Sequence, residues 1–246
     1  MSRRILLTVA YDGTNFHGYA YQEGVRTVEG VLADAVKQIC GHDADITGAS
    51  RTDAGVHAYG NLATFDTDGT IPAERFSVAL NTALPEDVRV VLSEETEAGF
   101  HPRRTGWKKT YEYRILNTDM PDPVRRNYTY HYRSALDIAS MDRAAGALTG
   151  THDFTSFCSV HSQSETRERT IFDCGVTKRE DLVVIRVTGS GFLYHMVRII
   201  AGTLLDVGRG RLSPDDIPHI LESRDRATAG VTLPPQGLFL VGYERS

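Results

Sequence analysis

The chain is poor in cysteine and has no long apolar run. Cys40, Cys158 and Cys174 are odd in number, far apart and without a CxxC pair, which excludes a disulfide framework or a zinc knuckle. Buried thiols in a reducing compartment, hence a cytoplasmic location, are expected. Met1-Ser2-Arg3-Arg4-Ile5-Leu6-Leu7-Thr8 meets Asp12 before a signal-peptide core is complete, and no segment approaches the roughly 20 apolar residues of a membrane-spanning helix, so no membrane role is expected. The nine histidines show no HExxH or HxxxH spacing, and Asp53 with His57 is one pair without a third ligand. There is no P-loop lysine, no GxGxxG and no GxSxG elbow, so neither a dinucleotide fold nor a Ser/His/Asp triad is indicated. There is no excess of positive charge: the net charge of -5 argues against a protein that coats nucleic acid by bulk electrostatics.

What basic charge there is comes in clusters. Arg103, Arg104, Lys108 and Lys109 lie close together, Arg125 and Arg126 are adjacent, and Arg209 and Arg211 flank a glycine. Such clusters on a mostly acidic body fit a selective site for a polyanion, or simply a solvated surface.

Hydrophobic periodicity predicts a β-α-β-β-α-β order in the first half. Segment 4–11 is β-prone; Val28, Val31, Leu32, Ala35, Val36 and Ile39 mark one helix face, stopped by Gly41. Strands at about 44–48 and 61–67 bracket the loop around Asp53, Pro72 opens a helix running to Ala83, and Val88–Ser93 is a strand. A basic connector, 101–107, separates this subdomain (1–100) from a second (108–246) of similar order. There, Tyr111, Tyr113 and Ile115 alternate on a strand, followed by a helix at 137–148, strands at 170–177 and 182–188, a helix at 192–207, a shorter one from Pro214 behind the Ser213 cap, and a strand at 237–243. The expected fold is α+β: two tandem split-βαβ, ferredoxin-like subdomains whose sheets join into one mostly antiparallel sheet, with helices packed on it and a central cleft.

Three groups of residues suggest chemistry. Asp53 sits in Ala49-Ser50-Arg51-Thr52-Asp53-Ala54-Gly55-Val56-His57-Ala58, a turn of small residues that lets backbone approach closely; it is either a nucleophile or base, or a loop cap bonding nearby N–H groups. Arg198 falls in Phe192-Leu193-Tyr194-His195-Met196-Val197-Arg198-Ile199-Ile200, apolar on nearly every face. A buried guanidinium needs an anion, with Asp53 the natural candidate and another acid the alternative. Tyr111 and Tyr113 share one strand face, for packing or for stacking on a base. Gly189-Ser190-Gly191 before the helix is either a weak anion-binding turn or a plain one.

With Arg51-Thr52-Asp53-Ala54-Gly55-Val56-His57-Ala58, Tyr111-Glu112-Tyr113, Phe192 through Arg198 and Gly237-Leu238-Phe239-Leu240 in this order, the chain resembles the tRNA pseudouridine synthase A family. Tyr11-Asp12-Gly13-Thr14-Asn15-Phe16-His17-Gly18, Asn81 through Asp87, Phe100-His101-Pro102-Arg103 and Asp153-Phe154-Thr155-Ser156-Phe157 extend the likeness over almost the whole chain. Ser50 departs from the glycine usual in the family, and Tyr19-Ala20-Tyr21-Gln22 replaces a stretch containing Trp-Gln. The resemblance implies isomerisation of uridine to pseudouridine at positions 38–40 of the tRNA anticodon stem-loop, by a homodimer without organic cofactor or catalytic metal. It implies Asp53 as nucleophile, Arg198 as its partner, Tyr111 stacked on the uracil, Arg51 holding the flipped nucleotide and Leu238 as an apolar wall. Arg103, Arg104, Lys108 and Lys109 are then candidates for phosphate contacts, with Arg125 and Arg126 as a second group. A catalytically silent RNA-binding protein is the alternative; a retaining glycosidase lacks a second marked carboxylate.

Overall fold

A computed structural model describes residues 2–245. They form two compact units: one runs to Trp107 and takes in the chain from Leu240 on, and the other is Lys108–Phe239. The architecture is mixed α+β, with mostly antiparallel strands and five α-helices among the described residues.

The first unit contains β1 (Arg3–Tyr11), α1 (Val28–Cys40), β2 (Thr47–Gly48), β3 (His57–Thr67), α2 (Phe76–Asn81) and β4 (Val88–Thr96). The final strand, β10 (Leu238–Glu244), gives it all but its first two residues. The strand order is β4-β1-β3-β10, with β2 also beside β3. Helix α1 forms where the periodicity places it: Thr27 caps its start by accepting from the Gly30 N–H at 3.3 Å, Val28, Leu32, Ala35 and Val36 are buried, and Gly41 ends it at φ 76°. The strand expected over 44–48 is only two residues long, and β3 starts at His57, earlier than the expected residue 61. Nearly every side chain of β3 is buried, so the alternation that betrays a half-exposed strand is missing there. Phe100 and Trp107, bordering the expected connector, pack against Leu6, Ala49 and Leu62 in this unit.

The second unit contains β5 (Lys108–Leu116), β6 (Tyr130–His131), α3 (Ile138–Gly146), β7 (Gly150–Asp153), β8 (Glu168–Arg179), β9 (Leu182–Gly189), α4 (Met196–Gly208) and α5 (Asp216–Ser223), and its strand order is β5-β9-β8-β7. The pairings of β9 with β5, β9 with β8 and β8 with β7 are antiparallel, and the two-residue pairing of β6 with β5 is parallel. Helix α4 begins at Met196 and not at 192, because His195 takes a left-handed φ of 62° and turns the chain before the helix. The apolar run Phe192-Leu193-Tyr194 therefore belongs to a packed turn. A Cβ on Gly202 of α4 would stand 1.9 Å from the Val231 carbonyl oxygen, so glycine alone lets the 230–233 segment lie against the helix backbone. That contact brings Leu233 to Arg198.

Candidate active site

In the first unit, Asp53 lies on the loop between β2 and β3, partly exposed, with Arg51 exposed beside it and Thr52 and Val56 turned inward. The loop is tight: the Val56 N–H donates to the Asp53 carbonyl at 3.1 Å, and Gly55 has φ 78°. Its outer backbone is clamped by the segment after β1. The Tyr19 N–H donates to the Thr52 carbonyl at 3.0 Å and the Gly55 N–H to the Phe16 carbonyl at 3.3 Å. A Cβ on Gly13 would stand 2.0 Å from the Val56 carbonyl oxygen, so this approach also requires glycine. His57, buried at the loop's end, accepts from the Gly13 N–H through Nδ1 at 3.0 Å and lies 3.1 Å from an Asp12 carboxylate oxygen.

Beneath the loop is a buried polar network centred on Asn61 of β3. Its Oδ1 accepts from the Ser50 N–H (3.2 Å) and the Tyr243 hydroxyl (3.1 Å); its Nδ2 donates to the Ser50 carbonyl (2.9 Å) and the Tyr11 hydroxyl (3.2 Å). All four hydrogen-bonding positions of the amide are used, which fixes its orientation. The Tyr11 hydroxyl continues to Thr52 Oγ1 at 2.7 Å, and Tyr243 donates to Ser50 Oγ at 2.6 Å. Thus the residues immediately before Asp53 are held through side chains from β1, β3 and β10. The Tyr19 ring lies against Gly48, where a Cβ would be 2.1 Å from it, and its buried hydroxyl has no hydrogen-bond partner. Burial pushes the Tyr19 phenol well above its ordinary pKa.

In the second unit, Tyr111 is buried on β5 with its ring edge-on to Phe192, centroids 5.1 Å apart. Tyr113, two positions on, is core: its hydroxyl donates to the Pro234 carbonyl at 2.7 Å, and burial raises its pKa while Arg198 nearby draws it back. Arg198 is half-buried on α4, where all residues but it and Asp206 are buried, and its Nε donates to the Leu233 carbonyl at 2.7 Å, while the Leu233 N–H returns a bond to the Arg198 carbonyl at 3.2 Å. The guanidinium is thereby aimed by backbone. Leu238, buried, opens β10 directly after a 3-10 turn at Pro235–Gly237.

A protein-family model described as tRNA pseudouridine synthase matches residues 7–103 and 144–244. The chain is 48% identical to tRNA pseudouridine synthase A of Caldicellulosiruptor saccharolyticus over 97% of its own length and 98% of the relative's. It is 45% identical to the protein of that name from Thermoanaerobacter sp., with the same coverage of both chains. The chain belongs to the tRNA pseudouridine synthase family. A solved structure titled as an H/ACA RNP bound to a substrate RNA containing 2'-deoxyuridine is also similar, at 13% identity and a TM-score of 0.38, over 82% of this chain and 44% of that one.

For a tRNA pseudouridine synthase the basic side chains divide into two sorts. Arg103 is tied by Nε to the Gly48 carbonyl at 2.7 Å, with Arg104 exposed next to it, and the Lys108 ammonium sits 4.8 Å from the centre of the Phe172 ring; Lys109 is partly buried on the same strand. Arg125, by contrast, is held by Asp122 (2.7 Å) and by both oxygens of Asp181 (3.0 and 2.6 Å), so its charge is already answered. Gly189-Ser190-Gly191 is a plain turn: the Ser190 N–H donates to the Thr170 carbonyl at 2.9 Å, and α4 begins later. Among the described residues no three His, Cys, Asp or Glu side chains converge to hold a metal ion. The periodicity pointed to neither Asn61 nor Tyr243, and the only signal for Tyr11 was its place at the head of the string ending in Gly18.

Proposed function

We propose that this chain converts uridine to pseudouridine in the anticodon stem-loop of tRNA, at positions 38–40, with Asp53 as the nucleophile. The observation that carries this reading is family membership over nearly the whole chain, together with an acid on a loop fixed from both sides. The reaction breaks the N1–C1' bond of uridine and joins C1' to C5; the C5 proton leaves and N1 gains one, so substrate and product are isomers. A carboxylate at C1' or at C6 of the ring makes the base detachable without hydrolysis, provided water is kept out.

In this reading Arg198 is the ion-pair partner of the Asp53 carboxylate, which fits a guanidinium aimed by the Leu233 carbonyl. Tyr111 stacks on the uracil and Leu238 walls the pocket, which fits their burial at the starts of β5 and β10. Arg51, exposed on the loop, holds the flipped-out nucleotide, and stacking with arginine contacts offsets the few kcal/mol of unstacking. Arg103, Arg104, Lys108 and Lys109 contact phosphates. The enzyme works in the cytoplasm as a homodimer and needs no organic cofactor or metal.

The test is to map pseudouridine in unmodified tRNA incubated with purified protein and no added cofactor. Wild type is expected to modify positions 38–40; Asp53→Asn loses turnover by at least several thousandfold yet retains tRNA binding. Appreciable turnover by that variant would sink the assignment of the nucleophile, and binding without turnover by wild type would mark a silent RNA-binding protein.

A further inference from the structure

Arg169, near the start of β8 in the second unit, has no counter-charge. One of its terminal nitrogens donates to the carbonyls of Thr166 (3.2 Å) and Glu168 (2.6 Å) and to the Thr166 hydroxyl (3.2 Å). No acid among the described residues pairs with it. Arg167, two residues back, adds like charge and is itself occupied by the Cys158 sulfur (3.0 Å) and the Ser162 carbonyl (3.2 Å). Arg114 is answered by Glu112 and Arg125 by Asp122 and Asp181, while Arg226, bonded to the Ala229 carbonyl and the Thr232 hydroxyl, shares with Arg169 the lack of an acid among the described residues. Burial lowers the Arg169 pKa, the Cys158 sulfur opposing the effect and Arg167 adding to it.

Its surroundings point to what answers it. The Arg169 side chain runs past Gly191, where a Cβ would lie 3.7 Å from Nε and 3.8 Å from Cδ; a glycine leaves that flank open. Gly191 leads directly into Phe192, whose ring is the edge-on neighbour of Tyr111. Across the strands, Gly189 of β9 is opposite Lys109 of β5 on one side and Ile171 of β8 on the other. The register therefore places Lys108, Lys109 and Arg169 at the same end of the strands of this unit, the end that carries Tyr111. Three cations and an open glycine flank there suit a phosphodiester, a tetrahedral anion that a guanidinium recognises by paired N–H groups.

We propose that Arg169 binds a backbone phosphate of the RNA substrate on the Tyr111 side of the second unit. This rests on RNA being the substrate, as in the reading above, and adds a binding residue to it.

The experiment measures the affinity of full-length protein for unmodified tRNA across a range of salt concentrations, for wild type, Arg169→Gln, Arg169→Lys and, as a control of equal charge change, Arg179→Gln at the opposite end of β8. Arg169→Gln is expected to weaken binding by about tenfold at low salt. The slope of log affinity against log salt should shrink by about 0.7–0.9, the release of one counterion fewer. Arg169→Lys keeps the slope, and Arg179→Gln changes neither quantity. The urea midpoint of Arg169→Gln should equal or exceed that of wild type, since an unanswered cation has gone. An unchanged slope in Arg169→Gln, or a lower midpoint with unchanged affinity, shows a loop brace and overturns the proposal. If wild type modifies tRNA while the Gln variant keeps the full slope, only the Arg169 assignment fails; if wild type has no affinity for tRNA, it fails together with the reading beneath it.

Discussion

Asn61 shows how a loop acid is held without touching it. The amide spends all its hydrogen bonds on Ser50, Tyr11 and Tyr243; Tyr11 passes the constraint on through Thr52, and Tyr243 through Ser50 Oγ. Tyr243→Phe removes the one donor shared by Ser50 Oγ and Asn61 Oδ1, so a loss of about 1–2 kcal/mol is expected, read as a lower urea midpoint at unchanged slope. Ser50→Gly, the residue usual in the family, should cost less in combination with Tyr243→Phe than the two single changes predict; strict additivity would show that the bond contributes nothing. The loop that carries Asp53 was legible in the sequence because its motif is contiguous. Its supports were not, because Tyr11, Asn61 and Tyr243 are joined over separations of 50 and 182 residues that leave no local pattern.

At the scale of elements, the helices with one apolar face and ordinary punctuation were readable, as α1 with Thr27 and Gly41 shows. Elements buried on both faces or begun by an unusual backbone turn were not: β3 lacks alternation, and the start of α4 is set by the left-handed His195, which an apolar run conceals. Thr27→Ala deletes the cap of α1 at a site that is 2% exposed, and should lower stability by about 1 kcal/mol in chemical denaturation. A pH signature belongs to the short 3-10 turn at Thr155–Phe157. There the Thr155 hydroxyl (2.6 Å) and N–H (2.9 Å) donate to Asp153 and hold its carboxyl below the usual range. A depressed folded pKa contributes stability that is complete above the unfolded value, about 3.9, and is lost as pH falls through the folded one. The deficit of Asp153→Asn relative to wild type should therefore be present at pH 6 and shrink below about pH 4; a deficit constant with pH would refute this.

For the molecule as a whole, a net charge of -5 coexists with a proposed RNA substrate because the candidate phosphate-binding cations are few and local. If Arg103, Arg104, Lys108, Lys109 and Arg169 each meet a phosphate, log affinity for tRNA should fall against log salt with a slope of about -3.5 to -4.5. A flat dependence would remove phosphate docking from the account. The β-α-β-β-α-β order of the first half was readable; the allotment of the last strand was not, since sequence order gives no hint that Leu240 onward joins a unit begun at the other end. That allotment has a consequence during synthesis. Strand β3 has β1 and the two-residue β2 as early neighbours, but its pairing with β10 must wait. At translation rates of about 5–20 residues per second, the ribosome needs on the order of ten seconds to travel from Trp107 to Leu240. For that interval β3 of the nascent first unit lacks its β10 pairing, and Ser50 waits for Tyr243. The acid loop is completed only when the far end of the chain has emerged.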